Sequence, residues 1–135
     1  MARYVIDAPT LLHLVAEDIP VSARHQLVAP NLVRSQALTL LLQAVQREEL
    51  TERQALEHHD RLTRLKMRLL GDRGSRHSAW RLARAHGWDT TYDAEYLAVT
   101  QLQADALVTI DPALRAKAEG VVPLAPLDAL TADHD

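Results

Sequence analysis

The sequence predicts a three-layer α/β domain, with a central, mostly parallel sheet of four to five short strands flanked by helices. Three observations predict it. Short apolar runs alternate with amphipathic stretches along the chain, the pattern of strands joined by crossover helices. Two of the runs, Tyr4–Ile6 and Ala106–Ile110, break off at an aspartate, as buried strands do on reaching the C-terminal edge of a sheet. Finally, 135 residues, 47% of them hydrophobic, suffice for one core and not for two. One domain over residues 1–130 is expected, with 131–135 as a loose tail.

The elements follow in order. Tyr4-Val5-Ile6 reads as the first strand, and Pro9 suits the first turn of a helix over Thr10–Ala16. Gln26–Ala29 is a second strand closed by Pro30. Asn31 is placed as N-cap of a helix to Glu48, with Leu32, Val33, Ala37, Leu40, Leu41, Ala44 and Val45 at helical spacing. Thr51-Glu52-Arg53-Gln54 fits a capping box opening a helix to Leu65. Periodicity leaves Lys66–Leu70 open between a strand and a last helical turn. After the turn at 71–74, Ser75 opens a helix that Gly87 ends. Thr90 or Thr91 caps the next, over Tyr92–Leu102. Ala106–Ile110 is the clearest strand. Pro112 starts a short helix to Lys117, and Val121-Val122-Pro123 reads as a last strand.

Composition excludes several function classes. Without cysteine there is no disulfide framework, thiolate metal site or cysteine nucleophile. The N-terminal apolar run stops at Asp7 after three residues, too soon for a signal peptide. No stretch nears the roughly 18 apolar residues of a membrane span. A cytoplasmic location without membrane contact is therefore expected. Net charge is −3, yet Arg61 to Arg84 holds eight basic residues against Asp72 alone. Within that patch Arg68, Arg73 and Arg76 are candidate contacts for RNA or a partner. The plain alternative is a set of solvated helix faces. Leu40-Leu41-Leu42 cannot all face one core, so a homodimer, or a groove for a partner's helix, is expected.

Asp7 and Asp111 each follow an apolar run, and so point to the crevice outside the strand ends. Asp93 lies in the first turn of a helix, where the dipole favours a carboxylate. If the three converge, they form an oxygen-only site suited to Mg²⁺ or Mn²⁺. Taken singly, each aspartate merely ends a strand or supports a helix start. Glu95 is about 200° around the helix from Asp93 and faces elsewhere. The seven histidines show no zinc spacing and read as surface residues. Trp80 and Trp88 read as core or partner-facing apolar mass.

The blocks Tyr4-Val5-Ile6-Asp7-Ala8, Val28-Ala29-Pro30-Asn31-Leu32, Tyr92-Asp93-Ala94-Glu95-Tyr96-Leu97-Ala98 and Leu107-Val108-Thr109-Ile110-Asp111 resemble, in order and spacing, the successive motifs of PIN-domain proteins. Among these they resemble the VapC-type ribonuclease toxins of toxin–antitoxin pairs. The likeness spans nearly the whole chain, and its strength lies in the ordered set. It implies a PIN-like three-layer fold and a metal-dependent endoribonuclease toxin, neutralised by a cognate antitoxin protein. Asp7, Asp93 and Asp111 fall on the family's catalytic, metal-binding aspartates. Thr109 matches a small hydroxyl residue that supports the last carboxylate. Mg²⁺ or Mn²⁺ would activate water against an RNA phosphate.

One position departs from the pattern. The family usually has a glutamate in the helix after the Val-Ala-Pro strand, and Gln36 stands there. A glutamine can ligate but brings no charge, so the cluster offers −3 in place of −4. Pro9 is a smaller departure, because the family often has Ser or Thr there; Thr10 partly substitutes. An alternative is therefore a PIN-like domain of weakened or lost catalysis that acts by binding a partner or RNA. A phosphoryl-transfer α/β protein would also place Asp after its first strand. Asp7-Ala8-Pro9 lacks that class's second aspartate, and Lys117 lies mid-helix instead of after a strand.

Overall fold

β1 (Arg3–Ile6) takes the middle of the sheet because Tyr4, Val5 and Ile6 are apolar without interruption, and all three are buried. In the computed structural model, which describes residues 1–132, β1 pairs in parallel with β2 (Gln26–Pro30) and β4 (Ala106–Val108). Val5 fixes the register, opposite Val28 on one side and Leu107 on the other. β2 pairs with β3 (Met67–Leu70), which completes an all-parallel sheet of order β3-β2-β1-β4. Residues 67–70 are thus a strand and not a last helical turn. Pro30 lacks an N–H, but β1 pairing has already stopped at Val28, so no ladder bond is lost.

Among the described residues six α-helices flank the sheet: α1 (Ala8–Ala16), α2 (Leu32–Gln46), α3 (Glu52–Arg64), α4 (Arg73–His86), α5 (Tyr92–Gln103) and α6 (Pro112–Ala118). The connections holding α1, α2 and α3 step outward from β1 to β3. The connection holding α4 and α5 steps back to β4. Right-handed crossovers put the two groups on opposite faces, which gives the expected three layers. α5 lies over β1, β2 and β4 and buries Tyr96, Leu97 and Val99 in the main core. α4 packs on α5 through Ala79, Ala83, Ala94 and Ala98, side chains small enough to let the axes approach.

The Thr51 capping box forms as the sequence predicts, with Thr51 Oγ1 accepting from Gln54 N at 3.1 Å and Gln54 Oε1 accepting from Thr51 N at 2.9 Å. Other boundaries shift, each for a local reason. α4 starts two residues before Ser75, because Asp72 is the cap and accepts from Ser75 N at 2.8 Å. Asn31 makes no side-chain cap bond. Its amide fills the space that a Cβ on Gly71 would need. β4 stops at Val108, since Ile110 N leaves the ladder for Thr10 Oγ1 at 3.0 Å. Val121–Pro123 is no strand. Leu124 alone bridges to Leu107, and Pro123 and Pro126 flank it without donors to extend a ladder.

Leu41 is buried while Leu42 is 57% exposed beside exposed Leu38, so the leucine run does leave apolar surface on α2. His25 is buried, against expectation. Its Nδ1 accepts from Ala2 N at 3.3 Å, and its Nε2 meets the Ala132 carbonyl at 2.6 Å. Of the expected tail, Thr131 and Ala132 are bonded back to Asp128, and 133–135 lie outside the described residues. Among the described residues no helix is long and apolar enough to cross a membrane.

Candidate functional site

β1 is where the strand order reverses, with β2 on one side and β4 on the other. Such switch points leave a crevice outside the strand ends. A cleft of about 450 Å³ opens there, and Asp7, Gln36, Asp93 and Asp111 all line it. Each comes from a different helix N-terminal half. Asp7 is the N-cap of α1, Gln36 lies in α2, Asp93 in the first turn of α5, and Asp111 caps α6. The positive ends of these helices make the gathering of carboxylates less costly.

Asp7 is 3% exposed. Its Oδ1 accepts from the Thr10 hydroxyl, and its Oδ2 accepts from Thr109 Oγ1 at 2.8 Å. Burial pushes its carboxyl above the ordinary aspartate value, and the two hydroxyl bonds oppose that only in part. Thr109 also accepts from Asp111 N at 3.0 Å. It therefore supports the Asp7 carboxylate and the Asp111 backbone, whereas the family pattern implies support of the Asp111 carboxylate. Asp111 is three residues beyond its strand, and its Oδ1 turns back to cap Ala113 N at 3.0 Å.

Asp93 Oδ2 receives Lys117 Nζ at 2.8 Å. The same ammonium stands 5.3 Å from the Trp88 ring centroid, and His86 stacks on that ring at 4.6 Å. Gln36 Oε1 accepts from the Tyr96 hydroxyl at 2.5 Å. Burial, aided by the Asp7, Asp93 and Glu95 carboxylates, pushes that phenol far up, so Tyr96 remains a donor.

The donor set is all oxygen, which fits a hard divalent cation in chemistry. Its present arrangement is not a closed cage. Among the described residues no three Asp, Glu or His side chains are gathered closely enough to hold a metal ion. The reason lies in the partners just given, since Asp93 is turned to Lys117 and Asp111 to its own helix. The carboxylate oxygens keep lone pairs beyond these bonds. Asp7, Asp93, Asp111 and Gln36 are the residues that would hold the ion.

The basic candidates separate. Arg73 and Arg76 are exposed at the start of α4. Arg68 lines a different cavity, with Met1, Gln26 and Met67, at the opposite end of the strands. Glu95 faces away from the cleft, half-buried in a groove with Arg76 and Trp80. Sequence reasoning missed Lys117 and Tyr96. Lys117 is 24 positions from Asp93, and no spacing signals that pairing. Tyr96 follows Asp93 by three, one helical turn, which was a usable signal. Of the two readings of Trp80, core or partner-facing, its 62% exposure rules out the core.

No family model and no curated protein matches the sequence. Among solved structures, the crystal structure of PAE2754 from Pyrobaculum aerophilum is similar at a TM-score of 0.73 and 25% identity, covering 96% of this chain and 93% of that one. The likeness extends over the whole three-layer architecture.

Proposed function

We propose that the chain is a metal-dependent endoribonuclease of the PIN-domain kind, acting in the cytoplasm as the toxin of a toxin–antitoxin pair. RNA is then its substrate, Mg²⁺ or Mn²⁺ its cofactor, a cognate antitoxin its inhibitor, and a homodimer its working form. One observation carries this reading. Asp7, Asp93, Asp111 and Gln36 come from four distant segments to line one cleft at the switch point of a parallel sheet.

Bound divalent metal would supply an acidified water and charge stabilisation for the phosphate. The chain's own residues do the rest. Thr10 and Thr109 fix the Asp7 carboxylate so that both of its oxygens are oriented before any ligand arrives. Tyr96 holds the Gln36 amide oxygen at the cleft wall. Lys117 offsets the Asp93 charge while no cation is present, and its ammonium competes with a cation for that carboxylate. Burial of Asp7, Thr10 and Thr109 keeps water from relaxing the dipoles around that carboxylate.

A second reading has its own support. Gln36 lacks a charge and Asp93 is already neutralised by Lys117. A PIN-like domain of weakened catalysis, working mainly by binding RNA or a partner, fits those two facts. The deciding experiment is cleavage of a mixed RNA substrate against Mn²⁺ concentration, with Asp7→Asn as control. Metal-dependent cutting that Asp7→Asn abolishes supports the nuclease. RNA or partner binding without cutting at any metal concentration supports the binder.

A further inference from the structure

We propose that single-stranded RNA leaves the cleft over Tyr92 and stacks an unpaired base on Trp80, with Arg76 and Arg84 taking the neighbouring phosphates. The inference rests on the reading of the chain as acting on RNA, and it adds where the strand lies.

The cavities themselves trace the path. Tyr92 lines the carboxylate cleft and also a second groove, which it shares with Trp80 and Arg84. Trp80 lines that groove and also a third, with Arg76. The three hollows therefore form one track along the α4–α5 side, with an aromatic ring at each junction. Both rings are open, Tyr92 at 55% and Trp80 at 62% exposure. A large indole in water is unfavourable unless something covers it. α4 carries four arginines and no acidic residue between Arg73 and His86. Cations interleaved with exposed aromatic faces are the chemistry that holds single strands.

An acidic protein segment would satisfy the arginines too. It would leave the ring at each junction without a planar partner, and it would not explain continuity with the carboxylate cleft. Glu95 and Asp89 lie in the same grooves and temper the positive field. Binding should thus draw more on stacking than on charge.

The test uses the full chain in EDTA, so that no cutting occurs, and a short fluorescein-labelled oligoadenylate followed by anisotropy. Trp80→Ala should weaken binding roughly tenfold, the scale of one stacked base. Trp80→Phe should recover most of that loss. Arg76→Ala and Arg84→Ala should each lower the salt dependence by about one phosphate contact. With Trp88→Phe, Trp80 is the remaining tryptophan, and its emission should be quenched as RNA is added. Trp80→Ala binding as tightly as the parent overturns the proposal, as does equal binding of duplex RNA. Binding of labelled oligoglutamate with no binding of the oligoadenylate overturns it in favour of a protein partner. The nuclease reading is judged separately. Trp80-dependent binding without metal-dependent cutting removes catalysis and keeps this surface, whereas cutting with Trp80-independent binding does the reverse.

Discussion

Lys117 and Asp93 form an ion pair across the cleft wall, Nζ to Oδ2 at 2.8 Å, between the last turn of α6 and the first turn of α5. The lysine has a second seat against the Trp88 ring. An ammonium is thus held where a divalent cation would need the carboxylate. Cation binding and this ion pair compete for one charge.

Removing the competitor should therefore favour metal. Lys117→Met is expected to tighten Mn²⁺ binding roughly two- to fivefold, the scale of a partly exposed pair. Titration calorimetry on the apo chain reads this directly. Equal affinities would show that Asp93 does not ligate.

Gln36→Glu adds a carboxylate at the same wall without losing the Tyr96 hydrogen bond, since the new oxygen accepts it equally well. Metal affinity should rise roughly tenfold, and cleavage at limiting metal should rise with it. In EDTA the variant should melt earlier than the parent through added repulsion. An unchanged affinity would place position 36 outside the ligand set.

Asp7 makes a signed prediction about pH. Its folded carboxyl titrates above the ordinary value of 3.8, mainly through burial. The folded state then holds this proton more tightly than the unfolded chain does. Stability from Asp7 is fully present below pH 3.8 and is lost as pH rises through the folded value. Asp7→Asn without metal should accordingly be more stable than the parent at neutral pH. That advantage should vanish below pH 3.8, as urea unfolding at the two conditions would show. The same variant should lose all metal-dependent cutting. A parent more stable than Asp7→Asn at neutral pH in EDTA would contradict the assigned cause.

Thr109→Val keeps shape and removes one buried hydroxyl that serves both Asp7 and Asp111. A cost of about 2 kcal/mol is expected, since the bond it deletes is to a carboxylate. Chemical denaturation measures it. A loss below about 0.5 kcal/mol would mean that water replaces the hydroxyl.

Exposed Leu38 and Leu42 on α2 lead to an expectation about assembly. The chain should be a dimer by light scattering at micromolar concentration, and Leu42→Glu should make it a monomer. A parent that is monomeric throughout would remove the homodimer from the proposed function.

The sheet and its order of helices were legible because uninterrupted apolar runs and cap residues act locally. Tyr4–Ile6 and the Thr51 capping box needed no tertiary information. Boundaries set by distant partners were not legible. Thr10 ends β4 from 100 positions away, and Asn31 turns to Gly71 instead of capping its own helix. For the site, Asp7, Gln36, Asp93 and Asp111 do line one cleft, but the aspartates are not gathered into the close group that their convergence on a cation requires. The partners that occupy them were not foreseen, because Lys117 meets Asp93 through the packing of α5 against α6 and through no pattern in the sequence.

Thr109 meets Asp7 across 102 positions, and Ile110 meets Thr10 across 100. A ribosome makes the Asp7 end of these bonds 102 residues before the Thr109 end. Until Thr109 follows, the nascent chain carries a carboxylate with Thr10 as its one hydroxyl partner and its second oxygen unheld. On the proposed reading, the emerging polypeptide stays harmless to the message that encodes it. Competence arrives in a single late step, when β4 docks beside β1.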